Sequence, residues 1–461
     1  MRKGRLLIIM LLHTFVLHAV SITGTLPVVY ITTGDGQAIT SKEEYKAATV
    51  YIDPLETGKA GLGSASAPIA AQVKGRGNYT WKDFDKKPYK IKFDKKQTVF
   101  GMPSNKHWVL LAGADDDLGF LRNPVGFMLS RAIGLRWTPG LEPVELVLNG
   151  QYSGLYFLAE HVRVGSNRVN VTEQEDGETD PAVVSGGWLV EIDNYAEDNR
   201  IDLYDKHGRR VMITPHSPEV LSAEQREYAQ TELYKLQCDI EETDGNWVDG
   251  NSPLSQRLDI VEAAKYYLVQ EIMEDCESYH GSCYLYKDRD NAEGADKWKF
   301  GPVWDFGNAY MRRGEKWIYT DPSFAQYWIE DLAQHADFQQ AVQEQWWIFY
   351  HEYKDQIKSQ ITSFVASIAQ AAKNDAQVWN GTSNYRNNSD MTAKRDRFFR
   401  RYDWRVQWLY SQWGEGIRPD TWDVENTPEE VLPATKMLRD GQVLIRRGGK
   451  TYDVQGKQIQ Q

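Results

Sequence analysis

The sequence predicts a two-lobed α+β protein with a β-rich N-terminal lobe and a mainly helical C-terminal lobe. Residues 26–161 consist mostly of short β-type runs separated by Gly, Asp, Asn and Pro. Beyond residue 217, apolar side chains recur at helical spacing. At 461 residues the chain exceeds the usual size of one compact domain. We therefore expect two lobes that share an interface.

Strands and one helix are predicted in the N-terminal lobe. The clearest feature is a hairpin in which Asn149-Gly150 separates two β-type runs, because both residues accept the positive φ of a tight primed turn. One helix, Leu121–Ile133, should interrupt this lobe. The expected strands include Val28–Tyr30, Tyr89–Phe93, Trp108–Leu111 and Val144–Leu148.

Helices dominate the C-terminal lobe after a strand WLVEID that follows Gly186-Gly187. The strongest is Asp259–Glu274, which opens with a capping pattern. Its apolar stripe, expected to be buried, consists of Val261, Ala264, Leu268 and Ile272. The other helices predicted are Ser217–Glu241, Phe324–Tyr353, Gln356–Ala372 and Met391–Gly414. Further strands are expected around Tyr284–Tyr286 and ending at Trp304-Asp305.

Both ends of the chain indicate export. Residues 1–21 combine basic side chains with an apolar run and are predicted to be a signal peptide, and no cysteine follows that would suit a lipid anchor. The expected lobes are 22–165 and 166–425, followed by a linker and β tail at 426–461. That tail resembles those of some secreted Gram-negative bacterial proteins. The predicted location is secreted, periplasmic or at the cell surface.

Composition excludes several classes of partner. A net charge of −12 and a pI near 5.4 argue against nucleic acid. No segment after the first 21 residues is apolar enough to span a membrane. Cys276 and Cys283 could pair in an oxidising compartment, although three cysteines leave at least one thiol free. The nine histidines form no ligand motif, so no structural transition metal is expected.

A basic stretch, KGRGNYTWKDFDKKPYKIKF from Lys74 to Phe93, is the first candidate site. Gly75 and Gly77 would let the backbone approach an anion and expose amide groups, and Arg76, Lys90 and Lys92 would add charge. The alternative is an ordinary turn beside a solvated strand face.

Acidic side chains form the second and third candidate sites. Glu274, Asp275 and Glu277 crowd the end of the strongest helix, where the dipole disfavours negative charge. Asp305 lies between two bulky aromatic residues, where a magnesium ion would satisfy a partly desolvated carboxylate. The alternatives are a solvated turn and a hydrogen-bonded structural aspartate.

Motifs in a fixed order resemble the CotH family of atypical secreted protein kinases. They are KGRGNYTW with KKPYKIKF, HWVLLAGADDDLGFLRN, VELVLNGQYSGLYFLAEHV, SYHGSCYLYKD and GPVWDFGNA, within roughly Leu26–Tyr310. The resemblance implies a kinase-like two-lobed fold that binds ATP with Mg²⁺ or Mn²⁺. It also implies phosphorylation of Ser or Thr on secreted or envelope proteins.

The resemblance also implies roles for nucleotide-binding residues. The Gly75–Gly77 turn corresponds to the loop that covers the phosphates, and Lys90 or Lys92 to the lysine that pairs with them. Arg122 lies in a family-like segment and is either structural or ligand-facing.

Catalytic and metal-binding roles follow from the later motifs. Asp305 corresponds to the metal-binding aspartate of an Asp-Phe-Gly element. The family's Asn-x-Asp-Ser stretch is Asp275-Cys276-Glu277-Ser278 here, which places Glu277 at the catalytic base and Asp275 at a metal ligand. The extra methylene of Glu277 would move the carboxylate by about 1 Å, which puts activity in question.

Two other functions compete with a kinase. A non-catalytic, pseudokinase-like binding or surface protein, possibly glycan-associated, would explain the altered catalytic stretch and the abundant tryptophan. A glycoside hydrolase would use two of the carboxylates Glu191, Glu274 and Glu277.

Overall fold

The computed structural model describes residues 22–195, 199–242, 253–311, 314–382, 384–387 and 390–419, together with strands of the C-terminal tail. The predicted signal peptide, residues 1–21, and the linker around 427–433 lie outside the described residues. The chain divides into two compact units, one ending at Glu415 and one beginning at Gly416. Of the helices in the described ranges, none combines the length and apolarity needed to cross a bilayer.

A closed barrel occupies the N-terminal part of the first unit. Its strands are β1 (Val28–Thr33), β2 (Lys46–Asp53), β3 (Ile69–Gly75), β4 (Tyr89–Val99), β5 (Met102–Leu111), β6 (Leu141–Leu148) and β7 (Gln151–Glu160). The order is β1-β2-β3-β4-β5-β7-β6, and β6 pairs in parallel with β1 to close the barrel. The hairpin predicted at Asn149-Gly150 is confirmed, with φ of 50° and 76° between β6 and β7.

The two faces of the barrel wall have different roles. On β4, Tyr89, Ile91 and Phe93 point into the barrel, as the alternation of the sequence predicts. On β5 and β7, Val109 and Phe157 point outward and join the main hydrophobic core of the unit. The outer face of the barrel is therefore a packing surface for the rest of the chain.

Residues just before β1 are attached to β6. Glu145 is fully buried, and its carboxylate accepts hydrogen bonds from the Thr23 amide at 2.9 Å and the Thr23 hydroxyl at 2.7 Å. The Tyr152 hydroxyl donates to the other carboxylate oxygen. A buried charge requires such donors, so Thr23 is part of the barrel's construction.

A second sheet follows the barrel in the chain. Its strands are β8 (Trp188–Ile192), β9 (Ile201–Tyr204), β10 (Arg210–Ser217), β11 (Cys283–Lys287) and β12 (Lys299–Phe300), in the order β12-β11-β8-β10-β9. The prediction of a strand ending at Trp304-Asp305 is wrong, because β12 ends at Phe300. Pro302 has no N–H to donate to a neighbouring strand, and Asp305 adopts φ +59° on a loop.

Helices complete the first unit. They are α1 (Tyr79–Asp83), α2 (Arg122–Ile133), α3 (Pro181–Val184), α4 (Ala223–Glu241), α5 (Ile260–Met273), α6 (Ile329–Leu332), α7 (Ala336–Ile348), α8 (Lys354–Trp379) and α9 (Met391–Trp413). The predicted helix Phe324–Tyr353 is wrong as one element, because it is divided into α6, α7 and a π-helical turn at Phe349–Tyr353. The predicted start of α4 at Ser217 is also wrong. Ser222 and Gln225 form a capping box that starts α4 at Ala223.

Helix α5 is the central helix of the main core. Asp259 caps it by accepting a hydrogen bond from the Glu262 amide at 3.1 Å, as the sequence predicts. The predicted apolar stripe is only partly correct, since Val261 is 45% exposed. Leu268 and Ile272 are fully buried, and so are the three residues between them, which cover the other faces of the helix. Protein therefore surrounds most of α5, which a one-sided stripe does not anticipate.

Two fully buried ion pairs lie in this core. Lys86 and Asp375 of α8 form an ion pair of 2.7 Å with both side chains fully buried, and Lys86 also donates to the Leu155 carbonyl at 2.6 Å. Arg405 of α9 and Glu271 of α5 form a second fully buried ion pair. Cys238, Cys276 and Cys283 are buried and no disulfide joins any two of them, so the pairing of Cys276 with Cys283 does not occur.

The tail from Gly416 contains its own antiparallel sheet. The strands are β13 (Thr435–Arg439), β14 (Gln442–Arg447), β15 (Lys450–Tyr452) and β16 (Gln458–Ile459), paired in chain order. The predicted turns at Asp440-Gly441 and Gly448-Gly449 lie outside the described residues.

Candidate active site

The turn after β3 presents a guanidinium rather than free amides. The Gly75 amide donates to the Ser41 carbonyl at 2.8 Å, and the Arg76 amide donates to the Pro88 carbonyl at 3.2 Å. A Cβ on Gly75 would overlap the Trp81 ring of α1. The expectation that the Gly75 amide is open to an anion is therefore wrong. Gly77 adopts φ +79°, which suits a glycine in the turn.

Arg76 extends from this turn toward the loop that carries Asp305. Its guanidinium lies over the Trp304 ring, 5.7 Å from the centroid. Burial lowers the pKa of Arg76, and the negative charge of Asp305 is the largest opposing influence. The barrel and the Asp305 loop thus meet through a half-buried cation and a carboxylate.

A basic cluster, defined here as Lys74, Lys90, Lys92 and Arg163, lies on and beside the outer face of β4. Burial, together with the charges of Arg163 and Lys74, lowers the pKa of Lys90 to about 8. Neither Lys90 nor Lys92 forms an ion pair with any residue in the described ranges. Lys92 instead lies over the Tyr45 ring, 5.8 Å from its centroid. The cluster is a local excess of positive charge in a protein of negative net charge.

Asp275 lies in the turn that follows α5. It is 1% exposed, and its Oδ1 accepts a hydrogen bond from the Glu277 amide at 3.4 Å. Its Oδ2 is buried and has no hydrogen-bond donor among the described residues. Burial raises the pKa of Asp275 well above its ordinary value, followed by the charges of Glu277 and Asp305. An unpaired buried carboxylate oxygen of this kind requires an explanation.

Glu277 faces the same space with both carboxylate oxygens hydrogen-bonded. The Tyr195 hydroxyl donates to Oε1 at 2.7 Å, and the Asn308 side-chain amide donates to Oε2. Burial raises the pKa of Glu277, while the Tyr195 hydrogen bond opposes that rise. Tyr195 is 51% exposed, so this side of Glu277 opens to solvent.

The segment Asp305-Phe306-Gly307 is anchored on α2. The Phe306 amide donates to the Asn123 side chain at 3.1 Å, and the buried Phe306 ring occupies the space that a Cβ on Gly126 would need. Asp305 itself is exposed, and its Oδ1 accepts from the Gly307 amide at 3.4 Å. The aromatic ring is fixed in the core, which holds the adjacent carboxylate at the surface.

Comparison with protein families gives a match to this region. The family described as CotH kinase protein matches residues 73–404, from within β3 to within α9. The chain belongs to the CotH kinase family. A search of the curated proteins finds no match.

In this member of the family, Arg122 has protein partners on all sides. Its Nε donates to the Ala309 carbonyl at 2.7 Å, and its NH2 group donates to Asp117 at 2.6 Å. An NH1 group lies 3.6 Å from Asp116. Arg122 is 3% exposed and fastens the 115–117 loop to the segment after Asp305. A nucleotide contact for Arg122 stays a prediction.

The described residues supply only part of the ligand set that a kinase needs to bind a divalent cation. Kinase chemistry in general requires ATP and a divalent metal. In the described ranges, no three His, Cys, Asp or Glu side chains converge closely enough to form a complete metal site. Asp305, and Asp275 through its unpaired oxygen, fit as partial ligands. Mg²⁺ usually takes its remaining ligands from phosphate oxygens and water.

The sequence alone did not indicate four residues of this region: Tyr195, Asn308, Asn123 and Asp115. Asp115 is half-buried, and its pKa rises to about 6 through burial and the charges of Asp116 and Asp305. The run of three aspartates, Asp115 to Asp117, was a visible signal for it. Asn308 directly follows the Asp305-Phe306-Gly307 segment, whereas Tyr195 reaches Glu277 only through the fold.

Proposed function

We propose that the protein is an exported CotH kinase that transfers a phosphoryl group from ATP to Ser or Thr of secreted or envelope proteins. Under this proposal the barrel and the part with the second sheet and helices are the two lobes of a kinase-like fold. The observation that carries it is the meeting of Arg76 with Asp305, with Asp275 and Glu277 electrostatically coupled to the same carboxylate. Cations on one side and carboxylates on the other match the demands of a metal-bound triphosphate.

Each group has a role that its surroundings support. Arg76 and Lys90 would bind phosphate oxygens, since Lys90 has no protein counter-ion in the described ranges. Asp305 and Asp275 would hold Mg²⁺ or Mn²⁺, which when bound neutralises charge on the phosphates. Glu277 would orient the acceptor hydroxyl and accept its proton.

Glu277 must release one hydrogen bond to act as a base. Its Oε1 bond to Tyr195 lies on the exposed side, so an acceptor hydroxyl would displace Tyr195 more easily than the buried-side partner. Glutamate at this position therefore works only with a movement of Tyr195.

A second function, a pseudokinase-like binding protein, is favoured by one observation. Both oxygens of Glu277 already have donors, as expected for a carboxylate with a structural role. A glycoside hydrolase is not proposed, because its candidate carboxylates already have protein partners. Glu274 accepts a hydrogen bond from the Gly314 amide at 3.0 Å and lies near Arg405. Glu191 accepts a hydrogen bond from the His216 ring at 2.6 Å.

The test separates nucleotide binding from transfer. Purified protein is titrated with Mn²⁺-ATP while its melting temperature is followed, and labelled ATP is then used with envelope protein extracts. Asp305→Ala should abolish the rise in melting temperature. Glu277→Gln should keep that rise and lower transfer by about 100-fold or more.

Three contrary results have distinct meanings. If Mn²⁺-ATP does not raise the melting temperature of the wild type, the kinase proposal fails. Binding without transfer by the wild type selects the pseudokinase-like alternative. Equal transfer by wild type and Glu277→Gln removes Glu277 as the base.

A further inference from the structure

We propose that Asp115, in the loop between β5 and α2, is a second carboxylate ligand for the divalent cation at Asp305. This inference rests on the proposed function and deepens it. It adds a metal ligand from the barrel side, so that a single ion would join the 115–117 loop to the Asp305-Phe306-Gly307 segment.

Gly307 shows that the two carboxylates face one small space. A Cβ built on Gly307 would stand 3.3 Å from Oδ1 of Asp305 and 3.5 Å from Oδ2 of Asp115. The residue at this point has no side chain, so the space between the two oxygens is open. Two anionic oxygens that face each other across an open gap repel, and a divalent cation would convert that repulsion into attraction.

The three consecutive aspartates have different partners. Asp116 accepts hydrogen bonds from the Leu118 and Arg122 amides at 2.9 Å each, at the start of α2. Asp117 forms ion pairs of 2.6 Å with Arg122 and 2.9 Å with Arg397. Within the described part of the chain, no hydrogen bond or ion pair from another residue reaches the Asp115 side chain. Asp115 is therefore the member of the run that is left for a ligand.

An independent observation points to a cation in the same place. Asp275 is 1% exposed, its Oδ2 has no donor in the described ranges, and Asp305 and Glu277 are the charges that act on it most strongly. Burying a carboxylate oxygen without a donor is costly. A cation at Asp305 would offset that cost through a direct contact or a bridging water.

The experiment measures Mn²⁺ alone, with electron paramagnetic resonance of the free ion as the readout. The wild type should bind Mn²⁺ saturably, and Asp305→Asn should lose this binding. Asp115→Asn should weaken the affinity by about tenfold or more, as expected when a group at a metal site is removed. Asp117→Asn is the matched control and should change the affinity by no more than about threefold, because the Asp117 carboxylate pairs with Arg122 and Arg397 and is not one of the groups next to Gly307.

A second variant tests the same space without altering either carboxylate. Gly307→Ala puts a methyl group between the two oxygens and should also weaken Mn²⁺ binding. Circular dichroism melting without metal shows that each variant is folded. If Asp115→Asn does not fold, the Gly307→Ala result decides.

The outcomes separate this inference from the proposed function. If Asp305→Asn loses Mn²⁺ while Asp115→Asn and Gly307→Ala bind it like the wild type, the Asp115 ligand is wrong and the kinase proposal stands. If the wild type does not bind Mn²⁺ alone, the inference is also wrong. If in addition Mn²⁺-ATP gives no rise in melting temperature, the proposed function fails with it.

Discussion

Lys86 and Lys90 lie four residues apart in the same basic stretch but have opposite surroundings. Lys86 is fully buried, with Asp375 at 2.7 Å and the Leu155 carbonyl at 2.6 Å. Lys90 is half-buried among Lys74, Arg76 and Arg163, with no ion pair in the described ranges. Burial lowers the pKa of both side chains, but Asp375 opposes that shift at Lys86, whereas most charges near Lys90 add to it.

The difference shows how this protein treats buried charge. Lys86 and Arg405 have acidic partners because an unpaired charge in the core would destabilise the fold. Among the described residues Lys90 has no such partner, and it lies near Arg76, which faces Asp305. Uncompensated charge at this place is consistent with a polyanionic ligand that completes it.

The largest effect is expected from breaking the Lys86 pair. Lys86→Ala leaves the Asp375 carboxylate buried without its counter-ion, so the free energy of unfolding should fall by about 3–5 kcal/mol. Urea denaturation measures it. The double variant Lys86→Met with Asp375→Leu should recover much of the loss, and a single variant as stable as the wild type would contradict a paired core charge.

Lys90→Met should have the reverse profile, with no loss of stability and a large loss of binding. The affinity for Mn²⁺-ATP should fall by about 1.5–3 kcal/mol, the usual contribution of a hydrogen bond to a charged group. Isothermal titration calorimetry measures it. Lys92→Gln is the matched control with a smaller loss, and equal losses in the two variants would remove the special role of Lys90.

Arg76→Lys should lower nucleotide affinity less than Lys90→Met does. The variant keeps the positive charge near Asp305 but loses the planar stacking on Trp304, which is worth about 0.5–1 kcal/mol at sites of this kind. Nucleotide affinity should therefore weaken only slightly, as measured by the same calorimetry. A loss as large as that of Lys90→Met would show that the guanidinium geometry itself binds phosphate.

The last effect concerns the pH dependence of stability. The pKa of Lys90 falls from 10.5 to about 8 on folding, so below pH 8 its charge destabilises the folded state. Between pH 8 and 10.5 the unfolded chain holds a proton that the folded protein has released, and this destabilisation disappears as pH rises. The stability advantage of Lys90→Met over the wild type should shrink across that window in paired denaturation curves. A constant advantage would contradict the shift.

Local sequence signals predicted the parts of the fold that depend on neighbouring residues. The alternation of β4, the Asn149-Gly150 hairpin and the Asp259 cap each follow from backbone geometry within a few residues. The order of motifs likewise predicted the CotH kinase family. Arg76 and Asp305, two of the expected site residues, are close enough for the charge of Asp305 to act on Arg76.

Features set by distant contacts could not be predicted. Asp115, Asp116 and Asp117 are chemically identical in the sequence, and only Arg122, Arg397 and the α2 amides distinguish them. The exposure of Val261 depends on what packs around α5. The loss of the Gly75 amide as an anion donor depends on Ser41, which is far away in sequence.

The attachment of Thr23 to Glu145 has a consequence for the predicted export of the chain. A peptidase that cut after Thr23 would delete both hydrogen bonds from that residue to a buried carboxylate, and Tyr152 would be the donor that remains among the described residues. A chain that began at residue 22 would keep them. If the predicted leader is removed, the cleavage position would therefore decide whether β6 keeps its contact with the residues before β1.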